Sequence, residues 1–460
     1  MRWSRIKKNV LIEIQEEQIL PYQVAFISLG CDKNVVNCEQ MMALAVAAGH
    51  TLVADAAEAE VAVVNTCGFI AAAKEEAIAN ILAMAELKNR GLVKKIVVTG
   101  CLSQRYAKDI RAELPEVDGI LGTGSFSKIN EAIDAVMRGE FYEDMGSIHA
   151  PVEELDRVLT TPPWFAYLRI AEGCDNRCAY CIIPALRGRY RSRRMEDILA
   201  EAKGLALRGV RELIVVAQDV TRYGTDLYGA HKLPELLKEL CKLDFHWIRL
   251  HYLYPDELTE EMLRTMAEEK KIVHYLDIPI QHCNDAVLKK MNRRGNKEFL
   301  LDLFGRIRDS IPDAALRTSI ITGLPGEGEA EFQELCEFLR AVKIPRAGAF
   351  AFSPEEGTAA YFMERVSEEE AQKRAELVEE LQSRVMDAFN EERLGKVVEV
   401  LCESFDEEAQ RYRGRSYAEA PDIDGCIYFD SDADIPAGSF VPVRILASMD
   451  GELLGELWEE

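Results

Sequence analysis

FAYLRIAEGCDNRCAYC, residues 165–181, sets an apolar run directly against a cysteine loop. The run FAYLRIA (165–171) has the length and composition of a buried strand. The loop after it, GCDNRCAYC (173–181), carries three thiols at spacing C-x3-C-x2-C. Three thiolates on one tight loop can hold three irons of a cubane cluster and leave the fourth without a protein ligand. A catalytic metal centre needs such an open position, whereas a structural site is usually closed. Zinc is the competing reading. Zinc sites usually pair two C-x2-C knuckles or add histidines, and no His lies between His149 and His231.

Outward from this stretch the pattern repeats. RSRRMEDILAEAKGLALRG (191–209) reads as a helix with Gly at its end. RELIVVAQ (211–218), HWIRLHYLYP (246–255), HYLDIPIQH (274–282) and ALRTSIITGLPGE (315–327) read as strands. A strand–helix unit repeated about six times predicts a full or partial parallel β/α barrel over 160–390, with chemistry at the strands' carboxyl ends. Cys174, Gln218, Pro279, Gln281 and Gly323 fall at or near such ends. ITGLPGEGEAEF (321–332) is a Gly-rich turn before a helix, which lets backbone N–H groups approach a ligand. A simple tight turn explains it too. RGRYRSRR (187–194) places five Arg in eight residues close after the cysteine loop. It is either a solvated charge run or a holder of a carboxylate or phosphate. The charged segment 367–395 is expected to be a helix ending at Gly395 that joins the barrel to a last domain.

Upstream, VAFISLGC (24–31), EVAVVNTCG (60–68) and KKIVVTGC (94–101) are Val/Ile-rich runs that each end at a cysteine. Continuous runs of this kind suggest buried parallel strands. Helical segments at 38–49 and 71–91 separate them, so residues 22–140 are expected to form a doubly wound α/β domain. Strand ends in such a sheet share one ligand-binding edge. Cys31, Cys67 and Cys101 would therefore converge as a second three-thiolate set, unless each is merely a small buried hydrophobe. Cys38 sits in the following helix and reads as packing. Residues 141–163, running into LTTPPW, read as a linker because the Pro pair disfavours helix.

Residues 393–460 carry short strand patterns with turn residues between them, expected to form a small antiparallel β-barrel. This segment holds 6 Lys and Arg against 16 Asp and Glu, a net charge of −10. The whole 460-residue chain has a net charge of −24. Broad nucleic-acid binding needs cations to neutralise phosphates, so an acidic chain favours a basic partner instead. Local basic grooves stay possible. At this length two to four domains are expected, and 48% hydrophobic content supports ordinary globular cores. No apolar run reaches the length of a membrane span, and MRWSRIKKNV lacks the apolar core of a signal peptide. A cytoplasmic location is expected. In that setting twelve cysteines point to metal or redox use rather than disulfides.

Together these residues resemble the radical S-adenosylmethionine methylthiotransferases. The match spans nearly the whole chain: SLGCDKN (28–34) with Cys67 and Cys101, GCDNRCAYCIIPALRGRYRSR (173–193), and a TRAM-like terminal barrel. HYLYP (251–255), LDIPIQH (276–282) and GRSYAEAPDIDG (414–425) resemble the branch that acts on a ribosomal protein. Asn37-Cys38, Ala217 and Gly328 depart from the pattern of that family, and none removes a cysteine of either triad.

The resemblance implies two [4Fe–4S] clusters. One would sit on Cys174, Cys178 and Cys181, the catalytic set, and bind S-adenosylmethionine. The other would sit on Cys31, Cys67 and Cys101 and present sulfur. S-adenosylmethionine would act as radical source and as methyl donor. Its contacts would include Tyr180, Gln218, Gly323, Pro325 and Gly326. The reaction implied is methylthiolation of the β-carbon of an aspartate in small-subunit ribosomal protein S-twelve. An electron donor such as flavodoxin or ferredoxin and a sulfur donor would be partners, with no membrane and no nucleic-acid substrate. Two other readings compete: the same chemistry on a tRNA adenosine, and a non-catalytic iron–sulfur carrier or scaffold.

Overall fold

The computed structural model describes residues 21–459. The N-terminal decapeptide MRWSRIKKNV, expected not to be a signal peptide, lies outside them. The first sheet is built from β1 (Gln23–Ser28), β2 (Thr51–Leu52), β3 (Val61–Thr66), β4 (Lys95–Gly100), β5 (Gly119–Gly124) and β6 (Tyr142–Gly146). All its pairings are parallel, in the order β2-β1-β3-β4-β5-β6. Between strands run α1 (Asp32–Ala47), α2 (Ala71–Asn89), α3 (Cys101–Glu113) and α4 (Ile129–Met137). Successive strand residues face opposite sides, and the cores divide accordingly. Ala62, Val64, Ile96 and Val98 meet Ala77 and Ile81 of α2. Val61, Val63 and Val97 meet Met41 of α1 and Ile133 and Val136 of α4. Burying one such side chain contributes about 1.5–3 kcal/mol. Cys38 packs in this second core, as expected for a residue of the helix that follows Cys31. The linker expected from 141 begins instead as β6, the edge strand of this sheet. Its sequence YEDMG is charged and half exposed, as an edge tolerates, so it shows no apolar run.

The second sheet comprises β7 (Phe165–Arg169), β10 (Glu212–Val216), β11 (Trp247–Leu250), β12 (Ile272–Asp277), β13 (Ala315–Thr322) and β14 (Arg346–Ala351). A two-stranded ribbon, β8 (Ala171–Glu172) with β9 (Arg191–Ser192), flanks the cysteine loop. Helices α5 (Ile183–Arg187), α6 (Met195–Leu207), α7 (Leu233–Leu240), α8 (Glu260–Glu268), α9 (Asp285–Lys290), α10 (Lys297–Ser310), α11 (Glu329–Val342) and α12 (Glu368–Glu391) complete the unit. The parallel order β14-β13-β12-β11-β10-β7 leaves β7 and β14 as unjoined edges, so the barrel is partial. Ala166, Leu168, Leu213, Val215, Ile248 and Leu250 face the helix layer. Their alternates face inward and are rich in polar groups, including the buried Arg169, Glu212, Arg249, His251 and Asp277.

Two neighbours close this polar interior. Val36 of α1 packs on Phe165, Tyr167, Ile214 and Val216 beside the β7 edge. From the base, segment 416–424 of the last domain enters. Arg249 Nη1 donates to Tyr417 O at 2.8 Å, and Tyr275 Oη donates to Asp424 at 2.7 Å. Glu419 pairs with Arg346 at 2.7 Å and with Arg393, while Arg415 pairs with Glu212.

The last domain is a closed five-stranded barrel of β15 (Val397–Asp406), β16 (Arg411–Arg415), β17 (Ile427–Asp430), β18 (Phe440–Met449) and β19 (Glu452–Leu457). It is not wholly antiparallel: β17 pairs with β19 in parallel to close the ring. Among the described residues, no helix is long and apolar enough to cross a membrane.

Candidate active site

The loop 173–181 leaves β8 at Gly173, whose φ of +78° suits glycine. A Cβ there would stand 2.1 Å from Arg189 O. Distant segments hold the loop. Cys174 N–H donates to Gly188 O at 3.2 Å, Ala179 N–H to Met291 O at 2.9 Å, and Asn292 Nδ2 to Arg177 O at 2.9 Å. Asn176 Nδ2 donates to the buried Asp219 at 2.8 Å. Arg293 reaches the centre of the site. Its Nη1 donates to Tyr180 Oη at 2.9 Å and lies 3.6 Å from Cys178 Sγ, while Nη2 donates to Pro279 O at 2.6 Å. Tyr254 Oη lies 3.6 Å from the same sulfur. Burial opposes the Arg293 charge, but Tyr180, Cys178 and Tyr254 hold its pKa above the ordinary value.

The other triad is assembled from three strand ends. Cys31 caps α1, Cys67 follows β3, and Cys101 opens α3. The turns press together: a Cβ on Gly30 would stand 2.7 Å from Cys67 Cβ, and one on Gly100 2.3 Å from Thr66 O. Asn34 Nδ2 donates to Leu29 O at 2.9 Å and Thr66 O at 3.1 Å, and Asn65 Nδ2 donates to Asn34 O at 2.8 Å. These bonds fix the first turn against the second.

The thiols within each set feel one another's charge. Burial pushes Cys67 up to about 11, and Cys101 and Cys31 add to the rise. Burial pushes Cys174 up to about 12, and burial followed by Cys178 raises Cys181. Thiolates in such surroundings need a positive centre, and a coordinated metal deprotonates its thiol outright. Three thiols per set fit a cubane with one open iron. Among the described residues no group of three or more His, Cys, Asp or Glu side chains is arranged to hold a single ion. Cubane thiolates bind three separate irons and stand further apart than the ligands of one ion.

One buried network joins the two sets. Arg187 Nη1 donates to both carboxylate oxygens of Glu172 at 3.1 Å, and its Nη2 donates to Asn34 Oδ1. Its charge draws the pKa of Cys67 and Cys101 downward against their burial. Glu172 also accepts from Arg169 at 2.9 Å, Gln218 Nε2 at 2.9 Å and Gly173 N–H at 3.2 Å. Burial would raise the Glu172 carboxyl, yet Arg187 and Arg169 hold it down to about 2. Lys33 is likewise buried beside Cys31. Its Nζ pairs with Asp32 at 2.8 Å and lies 3.5 Å from the centre of the Tyr252 ring.

The residues expected to contact S-adenosylmethionine divide. Tyr180 lies beside Cys178 through Arg293, and Gln218 keeps a buried Oε1 without a partner, an acceptor suited to an ammonium group. Gly323 N–H donates to Glu327 at 2.9 Å, and a Cβ there would stand 2.4 Å from Ala371 Cβ of α12. A Cβ on Gly326 would press on Lys290. In the Gly323–Pro325–Gly326 turn it is Leu324 that reaches the loop, packing in a cluster with Ala179, Val287, Met291 and Phe352. The Arg run is mostly internal wiring. Arg187 holds Glu172, and Arg193 pairs with Glu154 and, at 2.6 Å, with Glu201. Arg293, Glu172, Arg169 and Lys33 carried no sequence signal that separates them from ordinary surface charges.

Three family matches follow the same division of the chain. Residues 168–339 match the radical SAM superfamily, 23–122 the uncharacterised protein family UPF0004, and 394–457 the TRAM domain. Ribosomal protein uS12 methylthiotransferase RimO of Thermoanaerobacter sp. (strain X514) is 46% identical over 436 residues, 94% of this chain and 99% of that one. The protein of the same name from Clostridioides difficile (strain 630) is 44% identical over 441 residues, covering 95% and 99%. The chain belongs to the RimO methylthiotransferase family. It is therefore a sulfur-transferring radical S-adenosylmethionine enzyme. Among solved structures, the radical S-adenosylmethionine methyltransferase TsrM from Kitasatospora setae aligns with a TM-score of 0.56 at 13% identity, covering 74% of this chain and 77% of that one. The radical enzyme OxsB aligns with a TM-score of 0.53 at 12% identity, covering 79% and 56%. These likenesses are of fold. They show that a RimO-family chain shares its architecture with enzymes of other chemistries.

Proposed function

We propose that this enzyme adds a methylthio group to the β-carbon of an aspartate of ribosomal protein uS12. The observation that carries the reading is two three-thiol sets tied by one buried network, from Gly173 beside Cys174 through Glu172 and Arg187 to Cys101, in a RimO-family chain. Cys174, Cys178 and Cys181 would hold one [4Fe–4S] cluster, and Cys31, Cys67 and Cys101 a second. When bound, these clusters and S-adenosylmethionine supply the radical cleavage of an unactivated C–H bond, the sulfur and the methyl group.

The chain's own residues position and insulate. Arg293 and Tyr254 stand against Cys178 and offset its charge when it is a thiolate. Arg187 does the same for Cys101, and Glu172, kept ionised, holds that guanidinium in place. Gln218 offers its free Oε1 to the amine of S-adenosylmethionine. Lys33, paired with Asp32 and seated against the Tyr252 ring, braces the turn beside Cys31. The acidic terminal barrel favours a basic ribosomal protein over a tRNA adenosine. A flavodoxin or ferredoxin as electron donor, and a separate sulfur donor, belong to the same proposal.

Mass spectrometry of uS12 from cells with and without this chain tests it. A thiomethyl increment on one aspartate, present only with the chain, is expected. Equal masses in the two strains would reject the substrate.

A further inference from the structure

At the β14 edge of the partial barrel, α12 packs alongside the strand without pairing to it. Between β14, the middle of α12 and the turn 422–425 lies a cavity of about 490 Å³. Among the described residues β14 pairs only with β13, so its other edge has no strand partner. A helix beside the strand leaves the groove between them, and not a free strand edge, as the place for a ligand.

The wall of this cavity carries polar groups that are buried and unused. Arg346 is 4% exposed; its Nη2 binds Glu419, but Nε and Nη1 have no partner. Gln382 is 4% exposed, and both its amide nitrogen and its amide oxygen are without partners. Buried polar atoms are normally satisfied, so two such side chains on one cavity call for a ligand with matching groups. An amide that offers donor and acceptor together matches a peptide group, and the free guanidinium N–H groups match a carbonyl oxygen.

The rim supplies the charge preference. Glu379 and Asp422 line the cavity, are exposed, and make no ion pair among the described residues. Beside them Phe350 is 51% exposed. Acidic rims repel phosphate and attract Lys or Arg. The inner wall leads toward the site already described. Arg317 pairs with Asp277 at 2.8 Å, Asp277 accepts from Tyr252 N–H at 3.1 Å, and the Tyr252 ring lies under Lys33.

We infer that this cavity is the docking groove for an extended segment of the protein substrate flanked by Lys or Arg. The inference rests on uS12 being the substrate. Its main-chain groups would meet Gln382 and Arg346, and its basic flanks would meet Glu379 and Asp422.

The test uses reconstituted holoenzyme and recombinant uS12. Gln382→Leu, and separately the pair Glu379→Lys with Asp422→Lys, should each raise the KM for uS12 by about tenfold with kcat within about twofold, the loss expected when a substrate's polar groups go unmatched. Melting temperature and iron content equal to the parent's exclude misfolding. A photo-crosslinking benzoylphenylalanine in place of Phe350 should join uS12 in the otherwise unaltered chain. Unchanged KM in both variants, or no crosslink, overturns the groove while uS12 modification by the parent stands. A parent that leaves uS12 unmodified overturns the substrate reading and the groove together.

Discussion

The cysteine loop at 173–181 holds its three thiols within one short stretch of backbone, whereas Cys31, Cys67 and Cys101 are drawn from three strand ends of a different sheet. The loop's spacing is local, but its shape depends on remote segments, through Met291, Asn292, Arg293 and Asp219. The second set is the reverse. Its spacing is long-range, yet its shape follows from sheet order, because β1, β3 and β4 lie side by side and end at one edge. Two routes thus lead to the same donor set. One is sensitive to what packs around it, the other to the turns that bring neighbouring strands together.

The sharpest way to break the contrast is to remove each set in turn. Anaerobic reconstitution should give about eight irons per chain for two cubanes. Changing Cys174, Cys178 and Cys181 to Ala should leave about four and abolish S-adenosylmethionine cleavage. Changing Cys31, Cys67 and Cys101 to Ala should also leave about four, yet keep cleavage and lose methylthiolation. An unchanged iron count in either variant would refute that assignment. The turns provide a gentler cut. Gly100→Ala drives a methyl group to 2.3 Å from Thr66 O at a φ of +100°, and Gly173→Ala drives one to 2.1 Å from Arg189 O at +78°. Backbone strain of this kind costs about 1–3 kcal/mol. The first variant should shed iron only from the strand-end site and the second only from the loop site, read by iron analysis and thermal unfolding.

What the sequence made legible follows the same line. The strands and the thiols at their ends were visible because apolar runs and cysteines are each local signals. Strand β6 was not, because YEDMG sits at an edge where one face meets solvent and no apolar run is required. The parallel closure of β17 on β19 was invisible because pairing across a barrel leaves no trace in spacing. The roles of Arg293 and Glu172 could not be read because each acts through partners remote in sequence or shared between domains. Gly323 shows the converse. A Gly-rich turn at a strand end has the pattern of a ligand cradle, and the pattern does not show that the small residue also allows close packing against α12.

The base of the barrel gives a third kind of construction, a charge plug, and pH separates it from the two thiol sets. Glu419 is 1% exposed. Burial would raise its pKa, but Arg393 and Arg346 hold it down to about 2 from an ordinary 4.5. A depressed carboxylate contributes stability that is fully present above its unfolded pKa and is lost as pH falls from about 4.5 toward about 2. That shift corresponds to about 3 kcal/mol. Glu419→Gln should therefore unfold more easily at neutral pH by about 3 kcal/mol and lose less stability on acidification than the parent, measured by denaturant unfolding. A parallel acid profile in both proteins would mean that Glu419 is not the responsible group.

The smallest effect should discriminate the two thiol sets most finely. Arg293 and Arg187 are both buried guanidinium forks, each serving one set: Arg293 lies against Cys178, and Arg187 acts on Cys67 and Cys101. Lysine keeps the charge but offers one compact ammonium in place of the planar fork. Arg293→Lys cannot reach Tyr180, Cys178 and Pro279 O together, so kcat/KM for S-adenosylmethionine should fall about tenfold, or about 1.4 kcal/mol. Hydrogen bonds to cluster sulfurs tune reduction potential. Arg293→Lys should thus shift the electron paramagnetic resonance midpoint of the loop cluster alone, and Arg187→Lys that of the strand-end cluster alone. If either substitution moves both midpoints, the Glu172–Arg187 network couples the two centres electrically as well as sterically, and the two sets cannot be treated as independent.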